Sequence, residues 1–554
     1  MIRRRWEPVG VAVAGSIALL SLILWLDNVH IATMNGMYKS IQLEAWIDFP
    51  ASARLDPSNY IYFPVYAALC RLLDWIGVFH RLAWKQIAVL NAAMAGLALA
   101  AIYTLIRDLT SRRDAAVLAT VMHLGCGFFL LLAVINEDIM PGYTLVLIAT
   151  ALAAARFDRP TPAVVMGVSL LFTLGWLLEW RLIFPTLPAL LAALALSNTS
   201  LKRRASMAAL LLVTMLSVAG LVVLFWEGHN GAMGLPDVIW TGKGVATGWA
   251  GFSLEKLQLL AIGMGQYLLG GQNVPIPTDD LKISLETCVS LVLQLLALLY
   301  ALGELWRHWD DARIRTTMAV FLGTFLVGEI MNAYSQPQDP QMQINVMPWL
   351  TVVWGLALAN SLLPDLRNRR YLGRLLALLA LSAVPLIYNA IRLSEERGGD
   401  TAARTAVAGI DEKIDASRAI FLYWGFEPIT GWQFFFGGRH WDGVSGFHPA
   451  PDSNPHFKWL SLIRGPLSHP AWTGAENAAA LKKEIDWALD NGFRVVAAGF
   501  WEWSADQLAN SLVTVSGQSN APAVHAMLHS DYTAEFLFDQ PGVGNYYSLT
   551  RRQR

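Results

Sequence analysis

Charge is scarce in this chain: of 554 residues only 15% are Asp, Glu, Lys or Arg, whereas 55% are hydrophobic. An average soluble domain carries about 25% charged residues, so a water-surrounded globule is excluded and lipid is the expected solvent. Cysteine is nearly absent. Cys70, Cys126 and Cys288 are single thiols in apolar or near-membrane stretches, with no CxxC or Cys/His ligand spacing, and they read as core packing. GxSxG, Walker A, HExxH and a supported GxGxxG are also missing, which argues against a serine hydrolase, an ATP-driven pump, a zincin and a nicotinamide enzyme. The net charge of -1 comes without a basic stripe, so no nucleic-acid partner is expected. No repeat of about 20–50 residues stands out, which disfavours a secondary transporter.

What the chain has in abundance is apolar sequence of spanning length. Arg3, Arg4 and Arg5 precede a stretch at 9–26 that has no small-residue cleavage site after it, so a retained first span is expected. Further stretches follow at 84–106, 114–135, 139–155, 162–179, 182–197, 206–226, 284–303, 316–332, 343–362 and 373–390, which predicts about eleven spans. Alternate loops are rich in Arg and Lys: Arg107, Arg112 and Arg113; Arg156 and Arg159; Lys202, Arg203 and Arg204; Arg307, Arg313 and Arg315; Arg367, Arg369, Arg370 and Arg374. By the positive-inside rule the amino terminus is cytoplasmic, and an odd count sends the tail outside. The expected fold is a polytopic α-helical membrane protein with residues 1–390 as the transmembrane domain. Residues 391–554 form a small α/β domain outside, because strand-like runs at 418–426, 493–500, 534–538 and 546–550 flank a helical one at 475–489. The aromatic, Gly- and Pro-rich middle at 432–456 reads as loop.

Two further outer segments are long. Residues 27–83 hold an amphipathic stretch at 34–47 and a helix at about 63–79, expected to lie at the interface. Residues 227–282 contain an apolar helix near 254–269, interrupted by Lys256 and Gln266, which reads as an interfacial lid.

The candidate chemistry sits on the outer loops. In Trp25-Leu26-Asp27-Asn28-Val29-His30 a carboxylate leaves the first span beside an imidazole, the geometry of a general base, although a helix leaving lipid also needs polar residues there. Glu137 and Asp138 form a second acidic pair that can hold a divalent metal or orient a sugar, or else cap the helix beginning near Pro141. Glu179 and Arg181 interrupt apolar sequence, where charge is costly; Arg181 suits a lipid phosphate, the alternatives being a structural pair with Glu179 or a snorkelling side chain. The amide-rich loop from Asn332 to Gln343, with Gln336 and Asp339, can read sugar hydroxyls or serve as a turn. The tail histidines His440, His448, His456, His469, His525 and His529 show no zinc spacing.

The arrangement resembles the integral-membrane glycosyltransferases of the GT-C superfamily, in the branch with protein mannosyltransferases and the aminoarabinose transferases of lipid A. The likeness covers most of the chain. It rests on Asp27 after the first span, on Tyr62-Phe63-Pro64-Val65-Tyr66 leading into a helix, on Glu137-Asp138, on Arg181 to Pro185, and on the polar loop before a Pro-bearing span. Asp27-Asn28 stands where many relatives carry Asp-Glu, and Arg181 where Lys is frequent.

The resemblance implies inverting transfer of a sugar from a polyprenyl-phosphate donor to a lipid, glycan or protein acceptor outside the cytoplasm, at a bacterial inner membrane. Asp27, Glu137 and Asp138 are the expected catalytic residues, and they are also the ligands of a divalent metal, Mg or Mn, if one takes part. His30, Tyr62, Glu179, Arg181, Gln336, Asp339 and Gln343 are the expected substrate contacts. A transporter or lipid flippase, with charges near the membrane midplane, and a non-catalytic envelope scaffold are the alternatives.

Overall fold

The computed structural model of the protein describes residues 2–26, seven positions between 36 and 47, 61–230 except 81, 251–269, 285–362 except four loop positions (335, 336, 338 and 339), 372–395, 399–415, 418–424, 458–461, 473–510, 515–541 and 544–553. The chain opens with α1 (Ile2–Leu26), α2 (Tyr62–Trp75), α3 (Ala83–Thr110), α4 (Arg113–Leu124), α5 (Gly127–Leu132), α6 (Ile139–Arg156) and α7 (Pro162–Leu178). A 3₁₀ turn, Trp180–Leu182, leads to α8 (Ile183–Ala195) and α9 (Leu201–Asn230), followed by α10 (Leu254–Leu268), α11 (Leu285–Arg307) and α12 (Ala312–Tyr334). The short α13 (Pro340–Gln343) precedes α14 (Met347–Ala357), a π turn at Leu358–Leu362, and α15 (Leu372–Glu395).

The chain is a polytopic α-helical membrane protein. Among the described residues six helices are long and apolar enough to cross a membrane: Trp6–Leu26, Ala83–Thr110, Ile139–Arg156, Leu201–Phe225, Leu285–Arg307 and Ile314–Tyr334. The expected spans at 162–179, 182–197 and 343–362 are shorter apolar helices. The stretch 114–135 departs from expectation, because it breaks into α4 and α5 at Gly125-Cys126. The break is locked by α15: Asn389 Nδ2 donates to the Gly125 carbonyl at 2.7 Å, and a Cβ at Gly125 would stand 2.9 Å from the Leu386 nitrogen. The expected division at 390 falls inside α15.

Small residues let the first two long helices meet. A Cβ at Gly96 would lie 2.1 Å from Ser16 Oγ and 2.6 Å from the Ala12 carbonyl, so α1 and α3 touch backbone to backbone, as membrane helices without a hydrophobic driving force must. The pair is antiparallel, since Glu7 reaches Tyr103 (3.3 Å) and Arg107 (3.6 Å) while Ser16 lies beside Ala93. Leu26, buried at the end of α1, therefore comes opposite the first turns of α3.

The segment read as a lid is a packed helix. Tyr267 of α10 is fully buried against Phe128, Gln294 donates to the Met264 carbonyl at 2.5 Å, and a Cβ at Gly265 would collide with Thr287.

Beyond α15 and α16 (Gly399–Asp411) lie β1 (Ala419–Tyr423), β2 (Lys458–Ser461), α17 (Gly474–Asp490), β3 (Arg494–Ala498), α18 (Ala505–Asn510), α19 (Val515–Asp531), β4 (Tyr532–Gln540) and β5 (Gly544–Arg551). The sheet order is β2-β1-β3-β5-β4, with β1 parallel to β2 and β3, and β5 antiparallel to both β3 and β4. Thr473 and Glu476 form a reciprocal capping box that starts α17, and the fully buried β1 reads as a central strand covered on both faces. The four expected strands and the expected helix are present; β2, α16, α18 and α19 are additions, and 432–456 lies outside the described residues.

Candidate functional site

Asn91 organises the acidic loop. It is fully buried on α3, accepts from Tyr66 Oη at 3.0 Å, and donates to the carbonyls of Ile135 (2.8 Å) and Glu137 (2.6 Å). One amide thus fixes the backbone that carries Glu137 and Asp138 and ties it to α2. Asn136 Nδ2 donates to Ser40 Oγ at 2.8 Å, so the first long loop also folds down onto this turn.

Asp138 is the N-cap residue of α6, yet its carboxylate makes no capping hydrogen bond; instead it pairs with Lys39 Nζ at 2.9 Å, both side chains almost wholly buried. A buried carboxylate requires such a partner, and this one comes from the stretch expected only to be amphipathic. Lys39 also lies over the Phe63 ring at 5.3 Å, which links the pair to the Tyr62-Phe63-Pro64 segment. Tyr62 is fully buried and stacked on Tyr66 at 4.4 Å. Burial first, then Tyr66 and the Asp138 and Glu137 carboxylates, holds its phenol well above the usual tyrosine range and marks it as a neighbour of the acidic pair.

Glu179 closes α7 in an extended conformation and is 1% exposed. Arg181 donates to both its oxygens, from Nε at 2.6 Å and from a terminal nitrogen at 2.8 Å, and its backbone N–H adds a third bond at 3.2 Å. The Glu179–Arg181 ion pair is formed in this structure. The guanidinium also touches Met342 Sδ at 3.4 Å, which brings α13 to the same place. Next to Met342, Gln343 is fully buried and donates to Glu329 Oε2 at 3.1 Å.

Two glycines join the acidic turn to this pair. A Cβ at Gly142 of α6 would come within 2.6 Å of the Gly175 carbonyl and 2.9 Å of Glu179 Cβ, so α6 and α7 cross in backbone contact there. Asp138 precedes Gly142 by one helical turn, about 6 Å along the axis, so the Lys39–Asp138 and Glu179–Arg181 pairs are neighbours.

Glu137, Asp138, Tyr62, Glu179, Arg181 and Gln343 therefore meet around one crossing of helices. Asp27, His30, Gln336 and Asp339 lie outside the described residues. The sequence missed Lys39, Asn91 and Glu329; a Lys in an amphipathic stretch and an Asn and a Glu inside spanning sequence were the signals available. Among the described residues no three His, Cys, Asp or Glu side chains gather as a metal site, and Asp138 is matched by an ammonium. Asp27, the third expected ligand, lies outside the described residues.

A helical membrane domain, polar ion pairs packed at one end of α6 and α7, and a small α/β tail define the class. No protein-family model and no curated protein matches the chain. Solved structures do. ArnT from Cupriavidus metallidurans bound to undecaprenyl phosphate is 12% identical over 98% of this chain and 97% of its own, with a TM-score of 0.59. The apo form of that protein matches with the same TM-score of 0.59 over 99% of this chain. The apo oligosaccharyltransferase of Archaeoglobus fulgidus is 13% identical over 99% of this chain and 75% of its own, with a TM-score of 0.51. ArnT, a lipid A aminoarabinose transferase, and the oligosaccharyltransferase are GT-C superfamily members, and the chain has their fold.

Proposed function

We propose that the protein is a membrane glycosyltransferase that moves a sugar, with inversion, from a polyprenyl-phosphate-linked donor to a lipid, glycan or protein acceptor outside the cytoplasm. The observation that carries this reading is the meeting of the acidic turn with the Glu179–Arg181 pair at the Gly142–Gly175 crossing, in a fold shared with glycosyltransferases. The alternating basic loops support a bacterial inner-membrane protein with a cytoplasmic amino terminus and the 391–554 tail outside.

In this reading Arg181, aligned by Glu179, and Lys39, held by Asp138, face the donor phosphate and stabilise the charge it gains as the sugar leaves. Asp27 follows the buried end of α1 and takes the proton of the acceptor hydroxyl. One positioned base and one cationic wall suffice for a single displacement, with no covalent intermediate to house. Glu137 orients the sugar or the acceptor. Lys39 supplies a cation beside Asp138, so no step is routed through a divalent metal.

The test is transfer by the purified full-length protein in liposomes from radiolabelled polyprenyl-phosphate sugars. Asp27→Asn is expected to keep expression and folding and to abolish transfer; unchanged turnover would remove Asp27 as the base. EDTA is expected to leave turnover unaltered, and a loss restored by Mg or Mn would instead assign a metal to the acidic turn.

A further inference from the structure

Around Gly328 three parts of the chain meet because this residue has no side chain: a Cβ there would lie 2.0 Å from Val346 Cγ1 and 3.4 Å from Pro185 Cβ. Glu329 follows Gly328, Thr186 follows Pro185, and Asn345 precedes Val346, so each packed contact carries a polar neighbour. Glu329 is 7% exposed, Asn345 5%, and Thr186 and Gln343 are fully buried.

The hydrogen bonds here are lopsided. Glu329 Oε2 accepts from Gln343 Nε2 at 3.1 Å and Asn332 Nδ2 at 3.5 Å, and Asn332 also donates to the Met342 carbonyl at 3.2 Å. Glu329 Oε1, Gln343 Oε1, Asn345 Oδ1 and Thr186 Oγ are buried without a hydrogen-bond partner in the protein. A buried polar oxygen left in that condition is unfavourable, and native proteins rarely leave one, so four on these three segments call for a reason.

We propose that this junction is a subsite for the hydroxyl groups of the transferred sugar, with Glu329 and Gln343 as its principal acceptors. The inference rests on the glycosyltransferase reading and deepens it. Unpartnered carboxylate and amide oxygens suit hydroxyl hydrogens and repel phosphate, which is all acceptor, and the Thr186 hydroxyl can donate to a sugar oxygen as well. Phosphate belongs instead to Arg181, whose guanidinium touches Met342, the residue beside Gln343. One short helix, α13, thus separates a cationic face for phosphate from an acceptor face for the sugar. A site that hydrogen-bonds a hydroxyl rejects a ligand lacking it strongly, because its own groups are then stranded.

Binding to the full-length protein in nanodiscs tests this, with undecaprenyl phosphate as one probe and undecaprenyl-phosphate pentoses and hexoses as the others. Wild type is expected to hold at least one sugar-bearing lipid about tenfold more tightly than the bare lipid, a difference worth about 1.4 kcal/mol. Glu329→Gln and Gln343→Leu are expected to bring that ratio to within about twofold while bare-lipid affinity stays at the wild-type level, which also reports that the variants are folded. The proposal is overturned if wild type shows no preference for any sugar-bearing lipid. It is also overturned if both variants keep the preference, as they would were the acceptors satisfied by water alone, or if they lose both lipids equally. Failure of wild type to bind any polyprenyl phosphate lipid would instead strike at the glycosyltransferase reading itself.

Discussion

Asn91 shows how much one side chain can hold. Its three hydrogen bonds join α2, α3 and the acidic turn in a fully buried position. Asn91→Leu would strand two carbonyls and a phenol, and a loss of about 2–4 kcal/mol in stability is expected, read as a lower unfolding midpoint in detergent. Asn91→Asp should be no better, since a carboxylate cannot donate to the two carbonyls. For Arg181, replacement by Ala is expected to raise KM for the lipid donor by about tenfold or more while KM for the acceptor stays within about twofold. Equal changes in both would contradict its assignment to phosphate. At this scale the sequence was readable where charge interrupted apolar runs, as at Glu137, Asp138, Glu179 and Arg181. It was not readable where partners lie far apart along the chain: the pairing of Lys39 with Asp138, and of Glu329 with Gln343, depends on packing that no local pattern encodes.

Among the elements, the decisive contacts are made by residues without side chains. Gly142 and Gly175 let α6 and α7 cross close enough to set the acidic turn beside Glu179. Gly142→Val is expected to abolish transfer with the protein still inserted in the membrane, because overpacking by about 1–3 kcal/mol is relieved by moving the helices apart. A variant with wild-type turnover would show that this crossing does not set the site. Helix positions were legible from apolar run length, which is why six helices of spanning length fall where expected. The interruption between α4 and α5 was hidden, since Gly125-Cys126-Gly127 is apolar enough to pass for continuous span. What breaks it is Asn389, more than two hundred residues away.

On the scale of the whole molecule, the tail adds a soluble layer whose stability responds to pH. Glu484 of α17 is 5% exposed, and burial lifts its carboxyl to about 7, against a usual value of 4.5. The folded tail therefore binds this proton more tightly than the unfolded chain does. Its stabilisation is complete below the unfolded value and is lost as pH rises through 7. Glu484→Gln is expected to stabilise the tail at pH 8 by on the order of 1 kcal/mol and to change little near pH 4, measured by thermal unfolding. The alternation of strands and helix in the tail was visible in sequence; β2 was not, because four residues give too short a pattern.

The bond between Lys39 and Asp138 also has a history in time. During synthesis the ammonium emerges about a hundred residues before the carboxylate that matches it. At about 5–20 residues per second, the first loop waits on the order of ten seconds for its counterion. The amino-terminal segment is thus translated early and completed late, its final shape set only when α6 begins to enter the bilayer.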